Sequence, residues 1–261
     1  MAEAVAMPVA PALPMLREQV RAELLKLVRS PVFSVFSLAL PLIFYTFFGI
    51  PNSSGVLNGI HSGTFLMASF GAYAVANVML FTFGISVAVE RGQKLDVLMR
   101  ATPLRGWIFL ASRIVAAACF AIAALLLLAL FASLTGGVRL GAGEWIGLAW
   151  KLLLGSMPLL MLGFAIGYFV SPNAAPAVVN LIALPLFFAS GIFEPLRFLP
   201  QLIQNIAPYL PTYLFGQLAW GAVGAAADPL WRDVVGLGAY TIVFLGLALA
   251  AYSLQRSRRF G

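Results

Sequence analysis

The chain has few charges and almost none of the side chains that build covalent or metal sites. Only 10% of its 261 residues are charged, and it contains one cysteine and one histidine. Cys119 therefore has no disulfide partner within the chain, and neither Cys119 nor His61 can form a metal site alone. The sequence has no GxxxxGK(S/T) phosphate loop and no Ser, His and Asp grouping typical of a nucleophilic enzyme. We expect no catalytic residues, no metal and no cofactor bound by this chain.

Apolar residues take the place of the missing charges. Hydrophobic residues make up 62% of the chain, whereas a soluble domain carries about a quarter charged residues. The charges cluster between long apolar stretches, which indicates that a lipid bilayer is the solvent. The net charge of +7 fits basic loops on one side of a membrane and requires no nucleic acid. These features predict an all-α membrane protein.

Six stretches are long enough to be membrane-spanning helices, which need roughly 20 mostly apolar residues to cross about 30 Å of hydrocarbon. Ser30-Pro31 opens the first stretch, Gly136-Gly137 ends the third, and Ser171-Pro172-Asn173 predicts a tight turn before the fifth. The predicted spans are residues 32–50, 64–89, 107–135, 145–170, 174–193 and 234–254. The chain is thus divided into a mobile N-terminal tail (1–15), one six-span domain (16–255) and a basic C-terminal tail (256–261).

The basic residues predict the orientation of these spans. Lys and Arg are retained on the cytoplasmic side of a membrane, and here they gather before the first span, between the second and third, and after the sixth. The opposite side has only Arg139, Arg197 and Arg232 near its loops. Six spans with both termini cytoplasmic fit this asymmetry. The cytoplasmic residues are Arg17, Arg21, Lys26, Arg29, Arg91, Lys94, Arg100, Arg105, Arg256, Arg258 and Arg259.

Two basic residues lie inside predicted spans. Arg113 and Lys151 each fall about six residues from a span end, and a basic residue at mid-bilayer costs roughly 2.5 to 3.5 kcal/mol on insertion scales. We expect both side chains to extend to the nearer interface. The alternative is a role in binding a substrate or a partner.

The segment from Leu16 to Val28 predicts an amphipathic helix lying along the membrane. Its apolar residues share one helical face, and Arg17, Glu18, Arg21 and Lys26 lie away from that face. The helix is either a basic topological anchor or a device that grips a partner, and both roles are compatible. The apolar residues are Leu16, Val20, Leu24, Leu27 and Val28.

The cytoplasmic loop from Glu90 to Arg105 predicts a second short amphipathic helix. Leu95, Leu98 and Met99 form an apolar stripe, and Thr102-Pro103 ends the segment. The alternative is a solvated basic loop without a partner. The charged residues of the segment are Glu90, Arg91, Lys94, Asp96 and Arg100.

The apolar segment after the fifth span is too broken by proline to cross the membrane as one helix. We expect short amphipathic helices that lie in the outer leaflet or dip back into it, with their irregular backbone covered by protein or facing water. Glu194 and Arg197 are expected to pair there. Glu194 is either an interfacial carboxylate at a helix end or a group that faces the exit of a translocation path. The prolines are Pro195, Pro200, Pro208 and Pro211.

Three stretches resemble the permease subunits of type-2 ATP-binding-cassette exporters. The amphipathic segment leading through Lys26, Arg29 and Ser30-Pro31 is similar to that family's elbow helix. Glu90 to Pro103 resembles its cytosolic coupling helix with the Ala-Thr-Pro turn, and Leu184 to Pro211 resembles its signature around the outer re-entrant helices. The resemblance covers nearly the whole chain. One departure is Lys94-Leu95-Asp96, where many relatives have Gly-Thr followed by Glu.

The resemblance implies a homodimer or heterodimer in a bacterial cytoplasmic membrane, with each subunit docked on a separate ATPase subunit that holds ATP and magnesium. Leu95, Leu98 and Met99 would anchor the coupling helix on that ATPase. Substrate would pass along the dimer interface between the first, second and fifth spans. The expected substrate is amphipathic: a drug-like, lipid or lipid-linked molecule. The charges expected to fix the docking register are Glu90, Arg91 and Asp96, and Arg100 is a further expected coupling residue. The expected outer gate or substrate path comprises Glu194, Pro195, Arg197 and Pro200.

Two other classes of function fit the same residues. A membrane scaffold would use the cytoplasmic loop to recruit a partner and would transport nothing. An ATP-independent transporter would move its substrate without a partner. Changing Leu98→Glu separates the scaffold from the exporter, because the scaffold loses its complex without any change in flux.

Overall fold

The computed structural model describes residues 11–94, 106–225 and 227–258 and is mostly helical (81%). A π-helical segment, Tyr45–Gly49, continues α2, and the short strands β1 (Val56–Leu57) and β2 (Ile60–His61) pair as an antiparallel hairpin. Two 3-10 turns, Leu196–Phe198 and Ala207–Tyr209, flank α8. The helices of the described residues are α1 (Ala12–Val28), α2 (Pro31–Phe44), α3 (Ser62–Gly92), α4 (Gly106–Thr135), α5 (Ala142–Gly155), α6 (Met157–Phe169), α7 (Ala175–Ala189), α8 (Gln201–Ile206), α9 (Pro211–Ala222) and α10 (Leu230–Arg258).

Four helical stretches among the described residues are long and apolar enough to cross a membrane. They are α3, α4, the pair α5–α6, and α10 as far as Leu254. Residues Ser37–Gly49 and helix α7 are apolar but shorter. The predicted class of all-α membrane protein agrees with this structure. The count of six spans depends on the two shorter stretches and stays a prediction.

Helix α3 is the centre of the bundle, because it packs against α2, α4, α6, α7 and α9. Its contact with α6 is close because small residues face each other. A Cβ atom added at Gly163 would lie 2.8 Å from the Leu80 carbonyl oxygen, and one at Gly167 would lie 2.8 Å from the Phe83 carbonyl oxygen. Small residues four positions apart allow this approach of two helix backbones within a membrane.

The predicted fourth span is divided in two at Ser156. Its hydroxyl donates to the Leu153 carbonyl at 2.7 Å, and Pro158 lies in the first turn of α6, where the missing N–H is tolerated. The predicted fourth span, residues 145–170, is therefore formed by two helices, α5 and α6, that meet at Ser156. Helix α5 packs against α9, whereas α6 packs against α3 and α10.

The proline-rich outer segment forms short helices, and α9 is buried among other helices. The Trp220 indole donates to the Ser69 hydroxyl on α3 at 2.8 Å, and the Thr212 hydroxyl donates to the Leu186 carbonyl on α7 at 3.0 Å. Helix α9 also packs against α5 and α10. The expectation that protein covers this irregular segment is met for α9. Its depth in the bilayer stays a prediction.

The helix ends that were predicted to be cytoplasmic meet at one end of the bundle. Lys26 on α1 and Arg113 on α4 both pair with Glu90 near the end of α3. The rings of Tyr168 on α6 and Tyr252 on α10 lie 5.5 Å apart at the same end. The β1–β2 hairpin and the outer helices therefore lie at the other end of α3.

Candidate coupling site

Four charged side chains meet where α3 leaves the bundle, and Glu23, Lys26, Glu90 and Arg113 are called the charge cluster below. The Lys26 ammonium donates to Glu90 and lies 2.8 Å from the Glu23 carboxylate. The Arg113 guanidinium donates to Glu90 and lies 3.7 Å from Glu23. Two cations and two carboxylates alternate, so each charge has an opposite charge beside it. The cluster joins three helices: α1, α3 and α4.

Most of the charge cluster is shielded from solvent. The side chains of Arg113, Glu23 and Glu90 are 3%, 8% and 17% exposed, and Lys26 is 42% exposed. The Arg113 guanidinium also lies over the Phe109 ring, 4.8 Å from its centroid. Removing one partner from a buried ion pair costs about 3 to 5 kcal/mol, because it leaves the other charge buried and unpaired. The cluster therefore fixes α1 and α4 firmly against the end of α3.

Arg113 reaches the end of α3 that was predicted to be cytoplasmic, and its expected extension to the membrane interface stays a prediction. Its guanidinium is buried and pairs with carboxylates of two other helices. Hydropathy predicts only the cost of a buried cation, and here the carboxylates offset that cost. Lys151 on α5 is half-buried, and its predicted extension to the interface stays a prediction.

Arg91 connects the same end of α3 to α6. Its guanidinium donates to the carbonyl oxygens of Tyr168 and Val170. These carbonyls belong to the end of α6, where the last backbone acceptors have no partner within the helix and the helix dipole favours a cation. Adjacent residues on α3 thus bind different helices: Glu90 binds residues of α1 and α4, and Arg91 binds the end of α6.

The predicted coupling segment, Glu90 to Arg105, begins within α3, because Glu90 and Arg91 belong to that helix, which ends at Gly92. Two residues beyond the end of α3, Lys94 lies in the left-handed region at φ +56°, and its N–H donates to the Arg91 carbonyl at 3.1 Å. A glycine would adopt this conformation without steric cost. This is one of the positions at which the sequence departs from the Gly-Thr of many relatives. Five predicted coupling residues, Leu95, Asp96, Leu98, Met99 and Arg100, lie outside the described residues.

The predicted outer gate lies at the opposite end of the bundle. Glu194, Pro195 and Arg197 line a cavity of about 280 Å³, and Pro200 precedes the first turn of α8. The expected pairing of Glu194 with Arg197 is not found: in the described part of the chain no ion pair joins them. The Arg197 guanidinium instead lies over the Phe198 ring, 4.6 Å from its centroid.

Sequence reasoning missed the role of Glu23, although the sequence contained a signal for it. Glu23 follows Val20 by three residues and precedes Leu27 by four, so it lies on the apolar face of the N-terminal helix. A carboxylate in that position requires a buried partner of opposite charge. The sequence alone did not identify Arg113 as this partner.

Comparison with known proteins defines the class of this chain. The sequence pattern of the family described as "ABC-2 type transporter" matches residues 16–222, so the chain belongs to that family. Over 234 residues it is 28% identical to a protein of Bacillus subtilis (strain 168) named "Putative transport permease YvfS". That alignment covers 89% of this chain and 95% of the Bacillus protein. The resemblance found in the sequence is confirmed, and the chain is a multi-pass membrane protein of the transport-permease class.

Proposed function

We propose that this chain is the permease subunit of an exporter driven by a separate ATP-binding-cassette ATPase. Its substrate is an amphipathic drug-like, lipid or lipid-linked molecule that leaves across the bacterial cytoplasmic membrane. Two permease subunits, identical or different, form the complex, and both termini of each subunit are cytoplasmic. The family match supports the transport role, and the contacts of Glu90 and Arg91 support the coupling to an ATPase.

The main support for this proposal is that two adjacent residues at the end of α3 bind three neighbouring helices. The coupling segment begins with Glu90 and Arg91, which are bonded to α1, α4 and α6. When the ATPase closes, it displaces the coupling segment. Because Glu90 and Arg91 tie the neighbouring helices to α3, that displacement moves several helices together and changes how they pack.

The proposed path for substrate is the surface shared by α2, α3 and α7. An aromatic cluster connects these helices near their outer ends. The Phe193 ring lies 5.0 Å from Phe44 on α2, 4.9 Å from Tyr73 on α3 and 4.8 Å from Phe188 on α7. Aromatic side chains of this kind suit apolar or amphipathic substrates.

The decisive experiment measures ATP hydrolysis by nanodiscs that contain the chain and the ATP-binding-cassette ATPase that copurifies with it. Leu98→Glu is compared with Gln93→Glu, which adds the same charge at an exposed position outside the apolar stripe. We expect Leu98→Glu to abolish both substrate-stimulated hydrolysis and uptake of a fluorescent amphipathic dye into inverted vesicles. Gln93→Glu should preserve both.

Two other outcomes of these measurements would favour a scaffold or an ATP-independent transporter. If Leu98→Glu releases the ATPase while dye flux is unchanged, the chain is a scaffold. If the purified chain transports dye without ATP and without an ATPase, it is an ATP-independent transporter.

A further inference from the structure

A preformed cavity at the outer end of the bundle has a wall made of two chain segments. One segment is the connection from Phe48 to Leu57, and the other is the turn from Phe193 to Phe198. The first is held by a hydrogen bond from the Ser62 N–H to the Gly55 carbonyl at 2.9 Å. The second follows Gly191, which has a φ of +81° and whose added Cβ would lie 2.9 Å from the Leu196 side chain. The volume of about 280 Å³ fits a small polar headgroup.

One acidic and one basic residue line the cavity. Glu194 and Arg197 both line it, and within the described residues no ion pair joins the two. Near the surface of a protein, two opposite charges held at one site attract a ligand that carries both signs. An arginine guanidinium matches a phosphate in geometry, and a carboxylate accepts hydrogen bonds from an ammonium group.

Aromatic rings add selectivity for the cationic part of such a ligand. Phe48 and Phe193 line the same cavity, and the face of a phenyl ring attracts an ammonium ion. The Phe198 ring, which also lines the cavity, already lies beneath the Arg197 guanidinium. Phe193 is also the centre of the aromatic cluster that contacts α2, α3 and α7. A ligand in the cavity therefore touches a side chain shared by all three helices.

We propose that this cavity binds a phosphoamine headgroup, with Arg197 on the phosphate and Glu194 on the ammonium group. The headgroup belongs either to a phospholipid of the outer leaflet or to a soluble phosphoamine. Binding at this site requires neither ATP nor an ATPase subunit. The site is therefore tested separately from the export function.

The test uses the purified full-length chain in detergent and isothermal titration calorimetry with two soluble probes. O-phosphoethanolamine carries both charges, and glycerol 3-phosphate carries only the phosphate. We expect the wild type to bind O-phosphoethanolamine more tightly. Arg197→Gln should weaken binding of both probes by about tenfold or more, whereas Glu194→Gln should remove only the preference for O-phosphoethanolamine. Arg139→Gln, which neutralises an exposed outer arginine away from the cavity, should leave both affinities unchanged.

A second measurement identifies the source of the headgroup. Protein from nanodiscs that contain equal phosphatidylethanolamine and phosphatidylglycerol is analysed by native mass spectrometry. Arg197-dependent retention of phosphatidylethanolamine identifies a lipid ligand, and Arg197-dependent binding of O-phosphoethanolamine alone identifies a soluble ligand. The proposal is overturned if neither is seen, or if Arg197→Gln and Arg139→Gln behave alike. Glu194→Gln should change selectivity and keep phosphate binding, so loss of both in that variant would also contradict the proposal.

Discussion

Removing the guanidinium of Arg113 should destabilise the protein far more than removing a half-exposed guanidinium. Arg113→Gln leaves Glu23 and Glu90, which are 8% and 17% exposed, with only Lys26 to balance them. A broken buried pair costs about 3 to 5 kcal/mol. We expect about 3 kcal/mol here, because Lys26 remains and is partly exposed. The matched control is Arg232→Gln, whose Asp228 partner lies 2.7 Å away in a half-exposed pair, and which should cost about 0.5 kcal/mol.

A double-mutant cycle isolates the contact between α3 and α4. Glu90→Gln and Arg113→Gln are made singly and together, and the free energy of unfolding is measured by tryptophan fluorescence in mixed micelles with increasing sodium dodecyl sulfate. The double variant keeps the pair between Lys26 and Glu23. Its loss of unfolding free energy should therefore be about 2 kcal/mol smaller than the sum of the losses of the two single variants. The reasoning is refuted if Arg113→Gln costs less than about 1 kcal/mol, or if the two single costs add.

Two further changes test the packing of α3 and the backbone conformation of Lys94, which follows α3. Gly163→Val should destabilise the bundle by about 2 kcal/mol or more, because the added carbons meet the backbone of α3 at 2.8 Å; thermal unfolding in detergent measures this. Lys94→Gly should raise the free energy of unfolding by up to about 1 kcal/mol, because glycine adopts the observed φ of +56° without a Cβ penalty; denaturant unfolding measures this.

Each of these changes has a matched control. Gly147→Val places the same side chain in open space on α5, so an equal loss there would show that valine itself, and not the close contact, destabilises the helix. Lys94→Ala removes the same charge but keeps the Cβ atom. If Lys94→Ala stabilises the protein as much as Lys94→Gly, the loss of charge is responsible and the backbone explanation fails.

Local sequence chemistry was sufficient to predict many helix ends. Ser30-Pro31 marked the first span, and α2 begins at Pro31. Gly136 marked the end of the third, and α4 ends at Thr135. The turn at Pro172 was expected to precede the fifth span, and α7 begins at Ala175. Proline and glycine act through their own backbone geometry, so their effect does not depend on distant residues.

Contacts between distant residues could not be predicted in this way. Apolar windows do not register the break at Ser156, because both sides of it are apolar, although Pro158 was visible in the sequence. The partners of Arg113 lie on two other helices, and one sequence does not show which carboxylates meet it. Glu90 was predicted to contact an ATPase, and its described contacts are within the chain. Its predicted contact with an ATPase stays a prediction.

The division of the predicted fourth span at Ser156 gives its two halves different neighbouring helices. The outer half, α5, packs against α9, and the inner half, α6, packs against α3 and α10. A change of angle at Ser156 would move α5 relative to α6, while Arg91 keeps the end of α6 attached to α3 and α9 keeps its own contacts with α3 and α10. The packing of α5 against α9 can then change without breaking the contacts that Glu90 and Arg91 make at the other end of α3.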